Sequence, residues 1–135
     1  MKIEIKTHNN TPIAEIVSEH IVINKTQDAL DIMANSNYMG ADKMIIHEKN
    51  IIPGFFDLKT GIAGEILQKF SNYRVQLAIV GDFSKHNSKS LRDFIYESNK
   101  HGHINFVEST EEAYTKLAFS IKTGDISLFG NSCYN

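Results

Sequence analysis

Val75-Gln76-Leu77-Ala78-Ile79-Val80, closed by Gly81, is the most strand-like run in the chain, and its reading decides the fold. Five of its six residues before the glycine are apolar and two are β-branched valines, a composition that suits a pleated, buried strand. Working outward in both directions, helical and strand-like segments alternate around it.

On the N-terminal side, Ile62, Ala63, Ile66, Leu67 and Phe70 recur at helical spacing through Phe70 or Ser71. The segment from Asn50 to Gly61 before them contains Pro53, Gly54 and Gly61 and reads as a loop running into a helix start. Lys43 to His47 (K-M-I-I-H) is a strand. A helix precedes it, with Asn24 or Thr26 as cap, Ala29, Leu30, Met33 and Tyr38 on its inner face, and Gly40 at its end. Lys2 to Thr7 alternates with period two and Ile13 to Val17 is a second apolar run. The turn-forming His8-Asn9-Asn10-Thr11-Pro12 joins them, so an antiparallel hairpin is expected. A brief apolar stretch, Ile21 to Ile23, leads on from it.

On the C-terminal side, a polar loop from Asp82 to Ser88 leads to a helix with Leu91, Phe94, Ile95 and Ser98 on one face. Ser90 and Asp93 form a variant capping box, and Gly102 stands where the helix ends. His103 to Val107 is the fifth strand. Ser109-Thr110-Glu111-Glu112 is a capping box for a last helix with Ala113, Leu117, Ala118 and Ile121 inward. The order β-β-α-β-α-β-α-β-α predicts an α/β fold, a single mixed five-stranded sheet flanked by helices, with right-handed parallel crossovers after the hairpin. One domain is expected over residues 1–121, followed by a Gly-, Ser- and Asn-rich tail over 122–135 with a small Ile126-Ser127-Leu128-Phe129 patch.

A chain of 135 residues suits one domain and one core. Its net charge of −2 comes from acidic and basic residues mixed along its length, without the basic stripe that phosphate neutralisation requires, so no nucleic-acid partner is expected. No apolar run approaches the roughly 20 residues that span a bilayer, and the start of the chain lacks the apolar stretch of a signal peptide. The single cysteine, Cys133, has no internal partner. These features place the protein in the cytoplasm, with no membrane association.

The element order, with a loop and a glycine-marked helix start after the third strand, resembles the STAS-like domains, the fold of bacterial anti-sigma-factor antagonists and of the cytosolic modules of sulphate transporters. The runs Gly54-Phe55-Phe56-Asp57-Leu58, Gly81-Asp82-Phe83-Ser84 and Leu91-Arg92-Asp93-Phe94-Ile95 look like a bacterial family of unknown function related to that fold. The resemblance implies a regulatory module that binds a protein partner. In anti-sigma antagonists an Asp-Ser-Ser/Thr-Gly stretch starts the second helix, and the hydroxyl before its glycine is a phosphorylation switch. The matching position here is Thr60, before Gly61; Leu58-Lys59 precede it and the acidic residue nearby is Asp57.

Two constellations carry the functional reading. The first is Phe55, Phe56, Asp57, Thr60 and Gly61, a partner-binding or switch face. A hydroxyl at a helix start either caps free N–H groups or accepts a phosphate that those groups attract. The structural reading makes Thr60 a simple N-cap, lets Gly61 and Gly64 bring the helix close to the sheet, and places at least one of the two phenylalanines in the core. The second is the loop after the fourth strand, with Asp82, Ser84, Lys85, His86 and Arg92 as ligand-binding candidates beyond a strand's C-terminal end. Its composition suits an anion, but it lacks the spacing of a nucleotide loop, and a solvated charged loop is its structural reading. Asp57 and Asp82 follow strands expected to lie side by side, so an acid–base pair is the enzyme alternative.

The six histidines are scattered, and only His101 and His103 are near each other, on one face if both lie on a strand. No zinc spacing and no Gly-x-Ser-x-Gly nucleophile motif is present. No catalytic residue, metal or cofactor is therefore assigned.

Overall fold

The computed structural model describes residues 1–119. It contains one five-stranded sheet in the spatial order β1-β2-β3-β4-β5. The strands are β1 (Lys2–His8), β2 (Thr11–Val17), β3 (Lys43–His47), β4 (Gln76–Val80) and β5 (Ile104–Val107). The helices are α1 (Thr26–Tyr38), α2 (Ile62–Asn72), α3 (Lys89–His101) and α4 (Thr110–Ala118). The α/β reading and the element order are thus those of the structure.

β1 and β2 pair antiparallel over seven residues. Their connection is the two-residue turn Asn9-Asn10, with φ of 51° and 61°. Asparagine tolerates this left-handed conformation, and the mirror-image turn it makes matches the twist of a hairpin. β2, β3, β4 and β5 then pair parallel in sequence order. Because every crossover steps the same way along the sheet, right-handed connections put all three crossover helices on one face.

Core packing agrees with that rule. Ala29, Ile32 and Met33 of α1, Ala63, Ile66 and Phe70 of α2, and Leu91 of α3 pack with Ala14, Ile16, Met44, Ile46, Leu77, Ile79 and Phe106. The alternate strand residues Ile13, Ile45, Ala78, Val80 and Val107 face the other way and are covered by Ala113, Tyr114, Leu117 and Ala118 of α4. The period-two alternation of Cβ directions divides the strands between two apolar layers.

Several local expectations are corrected. Tyr38 is not on the inner face of α1 but 93% exposed, since the buried stripe runs through Ala29, Ile32, Met33 and Ser36. The start of α1 is closed by neither Asn24 nor Thr26; the Asp28 carboxylate reaches back to accept from the backbone N–H groups of Asn24 (2.9 Å) and Lys25 (3.2 Å). α3 begins two residues early: Ser88, not Ser90, is its cap, accepting from Leu91 N–H at 3.1 Å. His101 ends α3 and His103 lies just before β5, so the two do not share a strand. Gly61 takes φ +79°, which a side chain rarely adopts, whereas a Cβ at Gly64 would meet nothing within 4 Å. Gly64 is therefore not a close-packing position. Ser109 caps α4 as expected, accepting from Glu112 N–H at 3.1 Å. Ile121, Cys133 and the proposed boundary at 121 lie outside the described residues.

Candidate functional site

The loops leaving the C-terminal ends of β3 and β4 meet beside the sheet, and they are built differently. After β3 the chain makes three short 3-10 turns, Glu48–Asn50, Pro53–Phe56 and Leu58–Thr60. In the first, Asn50 is fully buried, and its amide donates to the carbonyls of Ser18 (2.9 Å) and His20 (2.8 Å), tying the end of β2 to the loop. In the second, both Phe55 and Phe56 are buried in the core, at 2% and 6% exposure. Neither ring is available as a surface knob.

The third turn carries the exposed part of the first constellation. Asp57 accepts from Lys59 N–H at 3.2 Å. The Thr60 hydroxyl lies 2.8 Å from the carbonyls of both Gly54 and Asp57, to which its single proton is shared, and it accepts from Ile62 N–H at 3.2 Å. Asp57, Lys59, Thr60 and Gly61 are all exposed. Thr60 thus satisfies one free N–H of α2, as a cap would, although Gly61 is the residue at the cap position.

The loop after β4 is held by polar side chains. Asp82 accepts from the Ser84 hydroxyl at 2.6 Å and from Ser84 N–H at 3.1 Å. The hydroxyl bond first, then the backbone bond, hold this carboxyl below the usual carboxylate range. His86 Nε2 lies 2.9 Å and Lys85 Nζ 3.1 Å from Oε2 of Glu48, the first residue after β3. The His86 ring stacks on Phe56, with centroids 5.3 Å apart and planes at 20°. Phe83 extends the cluster to Phe56 at 6.0 Å and Phe106 at 5.3 Å. A Cβ at Gly81 would fall 2.6 Å from Glu48 Oε1, so the glycine leaves room for this carboxylate.

The remaining candidates do not converge on one point. Asp57 and Asp82 each close their own turn and share no contact. The Arg92 guanidinium donates to the Asn87 carbonyl at 3.2 Å, and Lys89 pairs with Asp93 at 2.8 Å. Two of the basic groups in this loop and helix start, Lys85 and Lys89, are thus opposed by carboxylates. Glu48 was not legible as a site residue, because it stands 38 positions from the histidine it holds.

A second polar group lies on the α4 face. Glu15 of β2 accepts from the Tyr114 hydroxyl at 2.9 Å, and His47 Nε2 is 3.3 Å away. Burial first, and then the Glu15 bond, push the Tyr114 hydroxyl pKa upward, so it stays protonated and donating. Tyr114 also stacks on His8 at 4.4 Å. Among the described residues, no three His, Cys, Asp or Glu side chains group as metal ligands, and no helix is long and apolar enough to cross a membrane.

The strands run in sequence order, so that order has no reversal point, although α3 after β4 and α4 after β5 take opposite faces of the sheet. The class defined here is a small single-sheet domain that offers turns at its strand ends. The chain belongs to the family described as a domain of unknown function, DUF4180, whose model matches residues 8–117. No curated protein and no solved structure matches the chain.

Proposed function

We propose that the protein is a cytoplasmic regulatory module of STAS-like layout that binds a protein partner through the exposed turn Asp57, Lys59, Thr60 and Gly61. The observation that carries this reading is the division of labour within one loop. Phe55 and Phe56 fix the turn from beneath, which leaves its polar residues presented on a rigid base. Support also comes from the element order and from the placement of a hydroxyl at the start of the second helix. There, free N–H groups and the helix dipole favour an added negative charge.

The test is affinity capture from the native cytoplasm, with the unmodified chain and Thr60→Glu as paired baits and Tyr73→Ser as a remote surface control. The expected result is a protein retained by the unmodified chain and by Tyr73→Ser but lost or exchanged on Thr60→Glu. Identical capture by all three would overturn the reading.

A second reading is favoured by Glu48 and His86, which join the two loops over Phe56: a small-ligand or anion site between the loops after β3 and β4, with Asp82, Ser84, Lys85, His86 and Arg92 around it. Titration with inorganic phosphate, followed by the amide resonances of Ser84 to Arg92, separates the readings. Saturable shifts there would favour the ligand site.

A further inference from the structure

The two edges of the sheet are finished differently. At the β5 edge, Asn99 of α3 acts as a one-residue strand: its amide oxygen accepts from Phe106 N–H at 2.8 Å, and its amide nitrogen donates to the Phe106 carbonyl at 3.2 Å. This pair occupies outward-facing backbone groups of β5 and blocks the approach of another strand. At the other edge, among the described residues, β1 has no such cover. Its seven residues pair with β2 on one side, and among the described residues no backbone hydrogen bond reaches its outer rim.

An open edge is normally guarded by charge, and β1 carries Lys2, Glu4 and Lys6 on one face, with Ile3 and Ile5 on the other packed against the core. This pattern repels a uniformly charged partner but complements itself. In an antiparallel pairing centred on Ile5, the midpoint of β1, Ile5 faces Ile5 of a second copy. Glu4 then faces Lys6, Lys6 faces Glu4, and Ile3 faces Thr7. The register engages all seven residues from Lys2 to His8. Centring on Glu4 instead would oppose two glutamates, which is unfavourable, and centring on Ile3 would leave Lys6 to His8 unpaired.

We propose that a second copy of this chain adds to the sheet through β1, in the register centred on Ile5, to give a continuous ten-stranded sheet across a two-fold axis. Both copies keep α1, α2 and α3 on the same face of that sheet. Opposite pairs in an antiparallel ladder have Cα atoms about 4.5–5.5 Å apart, within disulfide reach, whereas a four-residue offset separates them by about 13 Å.

The experiment uses the full chain with Cys133→Ser as background and oxidative cross-linking read on non-reducing gels. Ile5→Cys is expected to give a covalent dimer. Ile3→Cys and Thr7→Cys are expected to give little dimer separately but a heterodimer when mixed. Equilibrium sedimentation supplies an independent measurement. Glu4→Lys is expected to weaken the dimer about tenfold, because the two-fold axis repeats each Glu4–Lys6 contact. A Lys2→Glu/Lys6→Glu chain is expected to be weakened similarly, and mixing the two variants should restore association. A wild-type chain that stays monomeric at high concentration, or equal cross-linking of all three cysteine variants, would overturn the proposal.

Discussion

The loop that leaves β3 enters the core with Phe55 and Phe56 and exposes only the turn from Asp57 to Gly61. The loop that leaves β4 buries no large side chain before Leu91, and holds its shape through Asp82 with Ser84 and through His86 and Lys85 with Glu48. Both connect a parallel strand to a helix of similar length on the same face of the sheet. Burial of two rings fixes a backbone without reference to solvent, so the exposed residues above it are free to vary in chemistry. Polar pairs at half-buried sites each contribute modestly and depend on salt, so the residues that build the second loop are also the ones it presents.

The comparison breaks most sharply at Phe55. Replacing this fully packed ring with alanine removes a buried aromatic and leaves a cavity, which costs about 3–5 kcal/mol. Phe55→Ala is expected to lower the urea midpoint by a large fraction of the total stability, given that such a domain has about 5–15 kcal/mol in all. A small change would mean that the β3 loop is not held from beneath.

A smaller loss is expected at the second loop. Gly81→Ala places its Cβ 2.6 Å from Glu48 Oε1 and 2.7 Å from Glu48 Cβ. The carboxylate end can swing away, but the Cβ is tied to the backbone, so relief requires a backbone shift and loss of the contacts to His86 and Lys85. Overpacking of this kind costs about 1–3 kcal/mol. Urea denaturation beside the parent measures it, and the amide resonance of His86 is expected to move with it. An unchanged midpoint would show that Glu48 contributes nothing to holding the loop.

How much of this was legible follows from which forces act locally. The strands and helices are written in nearest-neighbour pattern: period two in Lys2–Thr7, the apolar run before Gly81, the capping serine at 109. The fate of two adjacent aromatics was not, because consecutive side chains diverge on a strand or a helix, and whether both are covered depends on distant segments, such as Phe83 and His86 of the next loop against Phe56. Glu48 and His86 are brought together by the pairing of β3 with β4, a relation invisible to spacing. Asn99 likewise reads as a polar residue late in a helix; its role as a strand mimic requires β5 to lie beside it.

The finest test of the comparison is at Thr60, where the expected effect is smallest. Thr60→Val removes a hydroxyl that donates to the Gly54 or Asp57 carbonyl and accepts from Ile62 N–H. The residue is exposed, so water replaces these partners, and the loss is about 0.5–1.5 kcal/mol. Thr60→Glu loses the donor too, but its carboxylate sits at the start of α2, where a negative charge gains about 0.3–1 kcal/mol. Repulsion from the nearby Asp57 offsets part of that gain. The two variants should therefore unfold within about 1 kcal/mol of each other and about 1.5 kcal/mol of the parent, an order that thermal unfolding at low and high salt can resolve, with the advantage of glutamate over valine shrinking as salt screens the dipole. If either variant lost as much as Phe55→Ala, the exposed turn would be part of what holds the loop, and a charge added at Thr60 would unfold the surface it is proposed to regulate.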